Sequence, residues 1–258
     1  MKFEESLSDK IYWHKFDKFY EAFLPLDAKN IMEIGVASGD SIRYWRKKYA
    51  HAKIYGLDIV PTMPEWPKDE NIVYFQLDQS DINKYQEVLS EIVGPIDLLV
   101  EDGSHDPLHQ KISLMESLKI LDKGSVYILE DLHASHPKHS YYKNRLKEFN
   151  KSFKRFRKKA NDVLMPLQCL LLIDHLKTNG IKLETIQPKI DFTRSLFNYE
   201  EISLLFEKVK KIYFFKRNVL PDYCYSCKTN DFDFISLKCT CGADLYAEAD
   251  SMTAVLEF

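Results

Sequence analysis

Between residues 30 and 129 the chain repeats one alternation: a short, almost wholly apolar run, then a longer stretch with its apolar residues on one helical face. The apolar runs fall at 30–34, 53–58, 71–77, 96–100 and 125–129. They are too short for buried helices and lack a regular polar face, the pattern of strands covered on both sides. The stretches 41–49, 81–93 and 108–121 predict helices. The second is stopped by Gly94-Pro95 and the third by Lys123-Gly124, residues that end helices. Strands alternating with helices predict an α/β fold, a doubly wound parallel sheet.

Ahead of this unit, Phe16, Phe19, Tyr20 and Phe23 keep an i, i+3, i+4, i+7 spacing. That predicts an amphipathic N-terminal helix, ended by Pro25. Behind it, 164–176 reads as a buried helix with Pro166 in its first turn, 200–208 as another helix and 211–215 as a late strand. Residues 140–161 carry the basic run Lys143, Arg145, Lys147, Lys151, Lys154, Arg155, Arg157, Lys158 and Lys159. The plain reading is a solvated helix face; the functional one is a surface for an anionic acceptor. The implied division is an N-terminal helical segment (1–25), a central domain (26–220) and a tail (221–258).

Composition narrows the class. With 45% hydrophobic and 29% charged residues, a globular core is expected rather than disorder. The net charge of -3 argues against a general nucleic-acid coat. Met1-Lys2-Phe3-Glu4-Glu5 has no apolar core, and the longest apolar run, 167–173, is interrupted by Gln168. That is far short of the roughly 20 residues of a membrane span. A cytoplasmic location without a membrane partner is expected, and self-association into a homo-oligomer stays open.

The first strand runs into Glu33-Ile34-Gly35-Val36-Ala37-Ser38-Gly39-Asp40. Gly35 and Gly39 allow a ligand to lie against bare backbone at the strand's C-terminal end, with Ala37 and Ser41 beside it. Asp58, followed by Ile59, ends the second strand, where an acid can accept both hydroxyls of a ribose. Asp78-Gln79-Ser80-Asp81 follows the third, placed for an adenine edge. Glu33 suits a cationic amino-acid moiety, and Glu101 and Asp102 close the arc at the fourth strand. A dinucleotide site would carry more glycines and set phosphate at the helix N-terminus, which Asp40 opposes. The set favours a zwitterionic, phosphate-free adenosine ligand, which S-adenosylmethionine is. Each acid alone is equally explained as a helix cap or a surface charge.

Strand four ends in Val100-Glu101-Asp102-Gly103-Ser104-His105 and strand five in Leu129-Glu130-Asp131-Leu132-His133. In an open α/β sheet both ends face one crevice. Asp102, Glu130 and Asp131 would converge there and repel unless a hard divalent ion, magnesium by preference, neutralised them. His105 is the first candidate and His133 the second for a base that takes a hydroxyl proton; either could instead only brace a loop. His109, one turn on, is expected to share the face of His105, while His136 and His139 are bystanders.

These segments, with Gln110, resemble the macrocin- and mycinamicin-type sugar O-methyltransferases, which are similar to cephalosporin hydroxylase-like proteins. The resemblance covers residues 28–137. It implies a Rossmann-like methyltransferase sheet, S-adenosylmethionine as cofactor, a divalent metal at Asp102, Glu130 and Asp131, and a sugar hydroxyl as acceptor, in an antibiotic or a surface-polysaccharide precursor. The basic run adds the expectation of an anionic or nucleotide-linked acceptor. Rival readings are a methyltransferase of RNA or of a natural product, a non-catalytic cofactor-binding scaffold, and a dinucleotide oxidoreductase on the same sheet. The carboxylates count against RNA, since they repel phosphate.

Four of the five cysteines crowd the tail: Cys224 and Cys227, then Cys239 and Cys241. Two close pairs across a hairpin-length stretch fit a structural four-cysteine zinc knuckle. Free buried thiols or a redox pair are the alternatives. Cys169, in an apolar helix, reads as ordinary core.

Overall fold

The computed structural model describes residues 8–152, 162–246 and 251–258. Its strands are β1 (Asn30–Ile34), β2 (Lys53–Asp58), β3 (Ile72–Gln76), β4 (Leu98–Glu101), β5 (Val126–Leu129), β6 (Lys211–Lys216), β7 (Phe232–Asp233), β8 (Lys238–Cys239) and β9 (Met252–Glu257). Seven of them build one sheet in the order β3-β2-β1-β4-β5-β9-β6. β1 to β5 pair in parallel, whereas β9 runs antiparallel to both β5 and β6.

The helices are α1 (Asp9–Tyr12), α2 (Asp17–Glu21), α3 (Asp40–Lys48), α4 (Ile82–Glu91), α5 (Pro107–Ser117), α6 (Ser140–Ser152), α7 (Pro166–Thr178) and α8 (Tyr199–Lys208). Their starts are set by local chemistry. Asp81 accepts from Lys84 N at 3.0 Å to cap α4, and Asp106 accepts from Leu108 N at 2.8 Å ahead of Pro107 at the head of α5. Asn198 and Glu201 form a reciprocal capping box on α8, so the first free N–H groups find partners.

Alternate residues of each strand feed opposite faces of the sheet. Met32, Tyr55, Leu99 and Tyr127 join the larger core with Leu114, Leu170 and Leu205. Ile31, Ile54, Leu98 and Ile128 join the other with Phe16, Tyr20 and Trp45. This two-sided burial is why the strands carry no polar alternate face. The chain leaves β1 toward β2 and β3 and returns beyond β1 to β4, so a crevice opens at the C-terminal ends between β1 and β4.

Three expectations need correction. The single N-terminal helix is two short ones, α1 and α2, separated by a turn in which Lys15 has φ 61°. Phe16 and Tyr20 are nonetheless buried, with Phe19 and Phe23 packed beside them. Residues 221–258 do not form one appendage, because β9 lies inside the sheet with Ala254, Val255 and Leu256 fully buried. Finally, His109 sits on α5 but His105 precedes that helix at φ 56°, so the two do not share a helical face. Of the basic run, Lys154, Arg155, Arg157, Lys158 and Lys159 lie outside the described residues. No described helix is long and apolar enough to cross a membrane.

Candidate active site

The crevice holds a cavity of about 810 Å³. That is toward the upper end of the ~300–1,000 Å³ typical of single-ligand pockets, room for a cofactor and part of an acceptor. Gly35, Ala37, Asp58, Ile59, Asp78, Gln79, Ser80 and Asp102 line it, so most of the expected cofactor set meets at one surface. The β1 turn is bound to its neighbours. A Cβ on Gly35, where φ is +90°, would lie 2.0 Å from Asp102 O. Asp58 Oδ2 accepts from Val36 N at 2.8 Å and Ala37 N at 3.1 Å, which pins the loop while leaving lone pairs for further donors. Ile59 follows, 62% exposed although it faces the cavity.

Glu33, Gly39, Ser41 and Glu101 stand behind this lining. Glu33 is fully buried and accepts from Trp45 Nε1 at 2.8 Å. Burial pushes its carboxyl up to about 7, against the pull of Lys10. Glu101 is buried too and accepts from Gln79 Nε2 at 2.6 Å. Gln79 also donates to Ser113 Oγ at 2.8 Å and accepts from Ser104 N at 2.7 Å. The same glutamine thus faces the cavity and ties β3 to the β4 loop. Gly39 packs on Trp66 and Pro67.

The second half of the cavity is a nest of acids and imidazoles. Asp131 and His105 both adopt left-handed backbone, at φ 48° and 56°, conformations that cost energy in non-glycine residues and concentrate at functional sites. They turn two side chains toward each other, His105 Nε2 lying 3.2 Å from Asp131 Oδ2. Ligand atoms of Asp102, His105 and Asp131 all fall within 4.8 Å of one another. His133 presents Nδ1 to Asp131 Oδ1 at 3.5 Å and lines the cavity. Gln110 Nε2 donates to Glu130 O at 3.0 Å, holding α5 against the end of β5. His109 pairs with Ser104 Oγ at 2.7 Å; His136 and His139 are not among the lining residues.

Lys10, from α1, enters this nest. Only 3% exposed, it contacts Asp102 Oδ2 and lies 2.8 Å from Glu130 Oε1. The ammonium thus faces both Asp102 and Glu130, while the ligand atoms that converge are those of Asp102, His105 and Asp131. Burial pulls the Lys10 ammonium down, but Asp102 and Glu130 outweigh it and hold the group well above the usual lysine range. Burial, then Asp102, drives the Glu130 carboxyl well up, and burial takes Asp131 to about 7. One ammonium against three carboxylates leaves an excess of negative charge, relieved by a bound cation or by a proton.

His14, Trp13 and Asp9 of the N-terminal segment and Tyr225 of the tail complete the lining; the sequence pattern had not singled them out. His14 Nε2 lies 4.0 Å from Asp131 Oδ1, and its Nδ1 is 2.9 Å from Ser251 Oγ. Neither lysine nor arginine occurs among the described lining residues. Arg145 of the basic run is engaged with Asp106 and Glu148, at 2.6 and 2.7 Å.

The cysteines do meet. Cys224 Sγ lies 3.7 Å from Cys241 Sγ and Cys227 Sγ 3.4 Å from Cys239 Sγ, and one atom from each of the four falls within 4.8 Å of the others. These separations far exceed a disulfide bond of about 2.05 Å. They are close to the ~3.8 Å edge of a tetrahedron with metal–sulfur bonds of about 2.3 Å. Cys169 is buried in the core, as expected.

A profile of FtsJ-like methyltransferases matches residues 12–221, most of the chain. The protein belongs to the FtsJ-like methyltransferase family. Among curated proteins, this family member is 32% identical over 140 residues to the 8-demethyl-8-alpha-L-rhamnosyl tetracenomycin-C 2'-O-methyltransferase of Streptomyces olivaceus. The match covers 50% of this chain and 36% of that one. It is 32% identical over 110 residues to the mycinamicin VI 2''-O-methyltransferase of Micromonospora griseorubida, 40% of this chain and 27% of that one. Over 107 residues it is 25% identical to ribosomal RNA large subunit methyltransferase E of Zymomonas mobilis, 41% of this chain and 47% of that one. The matched regions thus span about a third of the antibiotic-pathway relatives. Among solved structures, the MycE methyltransferase in complex with Mg, SAH and mycinamycin VI aligns at 22% identity and a TM-score of 0.43, over 57% of this chain and 44% of that one.

Proposed function

We propose that the protein transfers the methyl group of S-adenosylmethionine to a hydroxyl of a sugar carried by a small-molecule glycoside. One observation carries this reading: a single cavity joins the β1 turn, Asp58 and Asp78 to the Asp102–His105–Asp131 cluster. The first half suits an adenosine-bearing amino acid, with Asp58 for the ribose and Ile59 for the base. The second half suits a neutral, hydroxyl-rich acceptor, because its acids would repel phosphate and its described lining offers neither lysine nor arginine. A neutral glycoside accordingly fits better than a nucleotide-linked sugar or a charged polysaccharide precursor.

The residues present fit a divalent ion. Asp102 and Asp131 would hold it as oxygen ligands with His105 beside them, and magnesium suits such a set. When bound, the ion would bring an acceptor hydroxyl into place and lower its pKa. His133, steered by Asp131 at its Nδ1 edge, takes the hydroxyl proton. The oxygen lone pair forms the new bond to the methyl carbon as the carbon–sulfur bond breaks, and sulfur keeps that electron pair in S-adenosylhomocysteine. The four cysteines would hold zinc as a structural ion, since four thiolates leave it no open position.

Methyl-labelled S-adenosylmethionine incubated with a glycoside panel tests this reading. Label should move to a sugar hydroxyl, be lost with chelator, and fall at least about 100-fold in Asp131→Ala and His133→Ala. Full transfer by Asp131→Ala would exclude the ion site. A ribosomal-RNA acceptor is the second reading, favoured by the RNA methyltransferase relative and the basic run; label appearing in RNA and not in any glycoside would establish it instead.

A further inference from the structure

We propose that Trp13 and Tyr225 form the wall against which the acceptor's sugar ring packs, making the cysteine module a working part of the active site and not a remote staple. The proposal rests on the sugar-acceptor reading above. The strand-end loops account for the cofactor half of the cavity and for the acidic nest. What remains of its lining comes from two places distant in sequence, the segment 9–14 and one residue of the cysteine module. That residue, Tyr225, lies between Cys224 and Cys227, so whatever binds the thiols also fixes its position.

The two rings meet across the cavity edge with centroids 6.0 Å apart and planes inclined at 56°. Both are held. The Arg217 guanidinium lies 4.5 Å from the Trp13 ring centre and donates to Trp13 O and Leu245 O at 2.8 and 2.7 Å. Lys228 Nζ stands 4.5 Å from the Tyr225 ring centre. Trp13 packs onto the cluster of Cys224, Cys239 and Leu245. Yet Tyr225 keeps 53% of its surface exposed while lining the site. A braced aromatic surface left open at a ligand cavity is a binding surface.

A pyranose ring matches this pairing. One face carries C–H bonds, which pack on the negative face of an aromatic ring, while its rim carries hydroxyls for the acids and imidazoles that line the same cavity. Neither aromatics alone nor acids alone would select a sugar. Their placement in one cavity does, and the tilt between the rings would decide which ring face is accepted.

The test is a ligand-observed NMR titration of methyl α-L-rhamnopyranoside, with methyl α-D-glucopyranoside as second probe, into zinc-containing protein saturated with S-adenosylhomocysteine. Tyr225→Ala and Trp13→Ala should each weaken glycoside binding about tenfold. Tyr225→Phe should bind as wild type does, because the ring and not the hydroxyl makes the contact. Tyr223→Ala serves as control, being 48% exposed on the same module but not among the lining residues, and should change nothing. S-adenosylhomocysteine affinity and zinc content should stay at wild-type values throughout. Unchanged glycoside affinity in Tyr225→Ala would overturn the proposal while leaving the sugar reading intact. Failure of wild-type protein to bind either glycoside would overturn the sugar reading and the proposal with it.

Discussion

Lys10→Met removes the ammonium from the acidic nest while keeping an unbranched, volume-matched side chain. Lys10 and Glu130 expose only 3% and 2% of their side chains and stand 2.8 Å apart. Opposite unit charges at that separation attract by about 6 kcal/mol at an effective dielectric of about 20. The full amount is not lost, because Glu130 can take a proton: burial and Asp102 already drive its carboxyl well up. Breaking a buried pair costs about 3–5 kcal/mol, and this escape puts the expected cost near the lower end, about 3. For a chain of this length that is a fall in Tm of roughly 6–12 °C. The assay is thermal denaturation at pH 7.5 in EDTA and again in magnesium chloride. An ion at about 100 times its Kd returns about 2.7 kcal/mol, and the variant, with one more uncompensated negative charge, should gain more from magnesium than wild type does. A Tm in EDTA equal to that of wild type would refute the reasoning, since Lys10 would then not be neutralising these acids.

Glu33 gives a pH test. Its folded pKa of about 7 lies above the ordinary carboxylate value, so the folded chain holds a proton that the unfolded chain releases. From this group stability should therefore fall by about 3 kcal/mol as pH rises from about 4.5 to 7; Glu33→Gln should remove that share of the slope in denaturant titrations and leave the share due to Asp131 and Glu130. Gly35→Ala should destabilise by more than about 3 kcal/mol in the same measurement, because a Cβ there meets Asp102 O at 2.0 Å on left-handed backbone. Asp58→Ala, which strips Val36 N and Ala37 N of their acceptor, should weaken S-adenosylhomocysteine binding about 10–100-fold by calorimetry. Elemental analysis should find zinc in wild type, and Cys239→Ser should lose it without loss of S-adenosylhomocysteine binding.

Local pattern was enough to define most of the framework. Strands buried on both faces carry continuous apolar runs, so β1 to β6 were legible within a residue or two, and the acids just past them fell at the cavity by topology alone. Asp58, Asp78, Asp102 and Asp131 owe their positions to strand ends, a property of the nearby sequence. Glu33 and Glu101 sit one or more residues earlier, within their strands, and the pleat turns them into the protein, a difference of direction that spacing does not report. Partners drawn from far along the chain were not legible. Lys10, beside Ile11 in a four-residue helix, has no periodicity to mark it as buried, and its place between Asp102 and Glu130 exists only once α1 crosses the ends of β4 and β5. β9 follows a cysteine-rich stretch and resembles any short apolar tail until its backbone groups pair between β5 and β6. Trp13 and Tyr225 meet for the same reason. Sequence determined what each segment would be, because secondary structure and strand-end chemistry are local. Tertiary structure alone decided which charges neutralise one another and which rings share a wall, because those depend on contacts that no local pattern encodes.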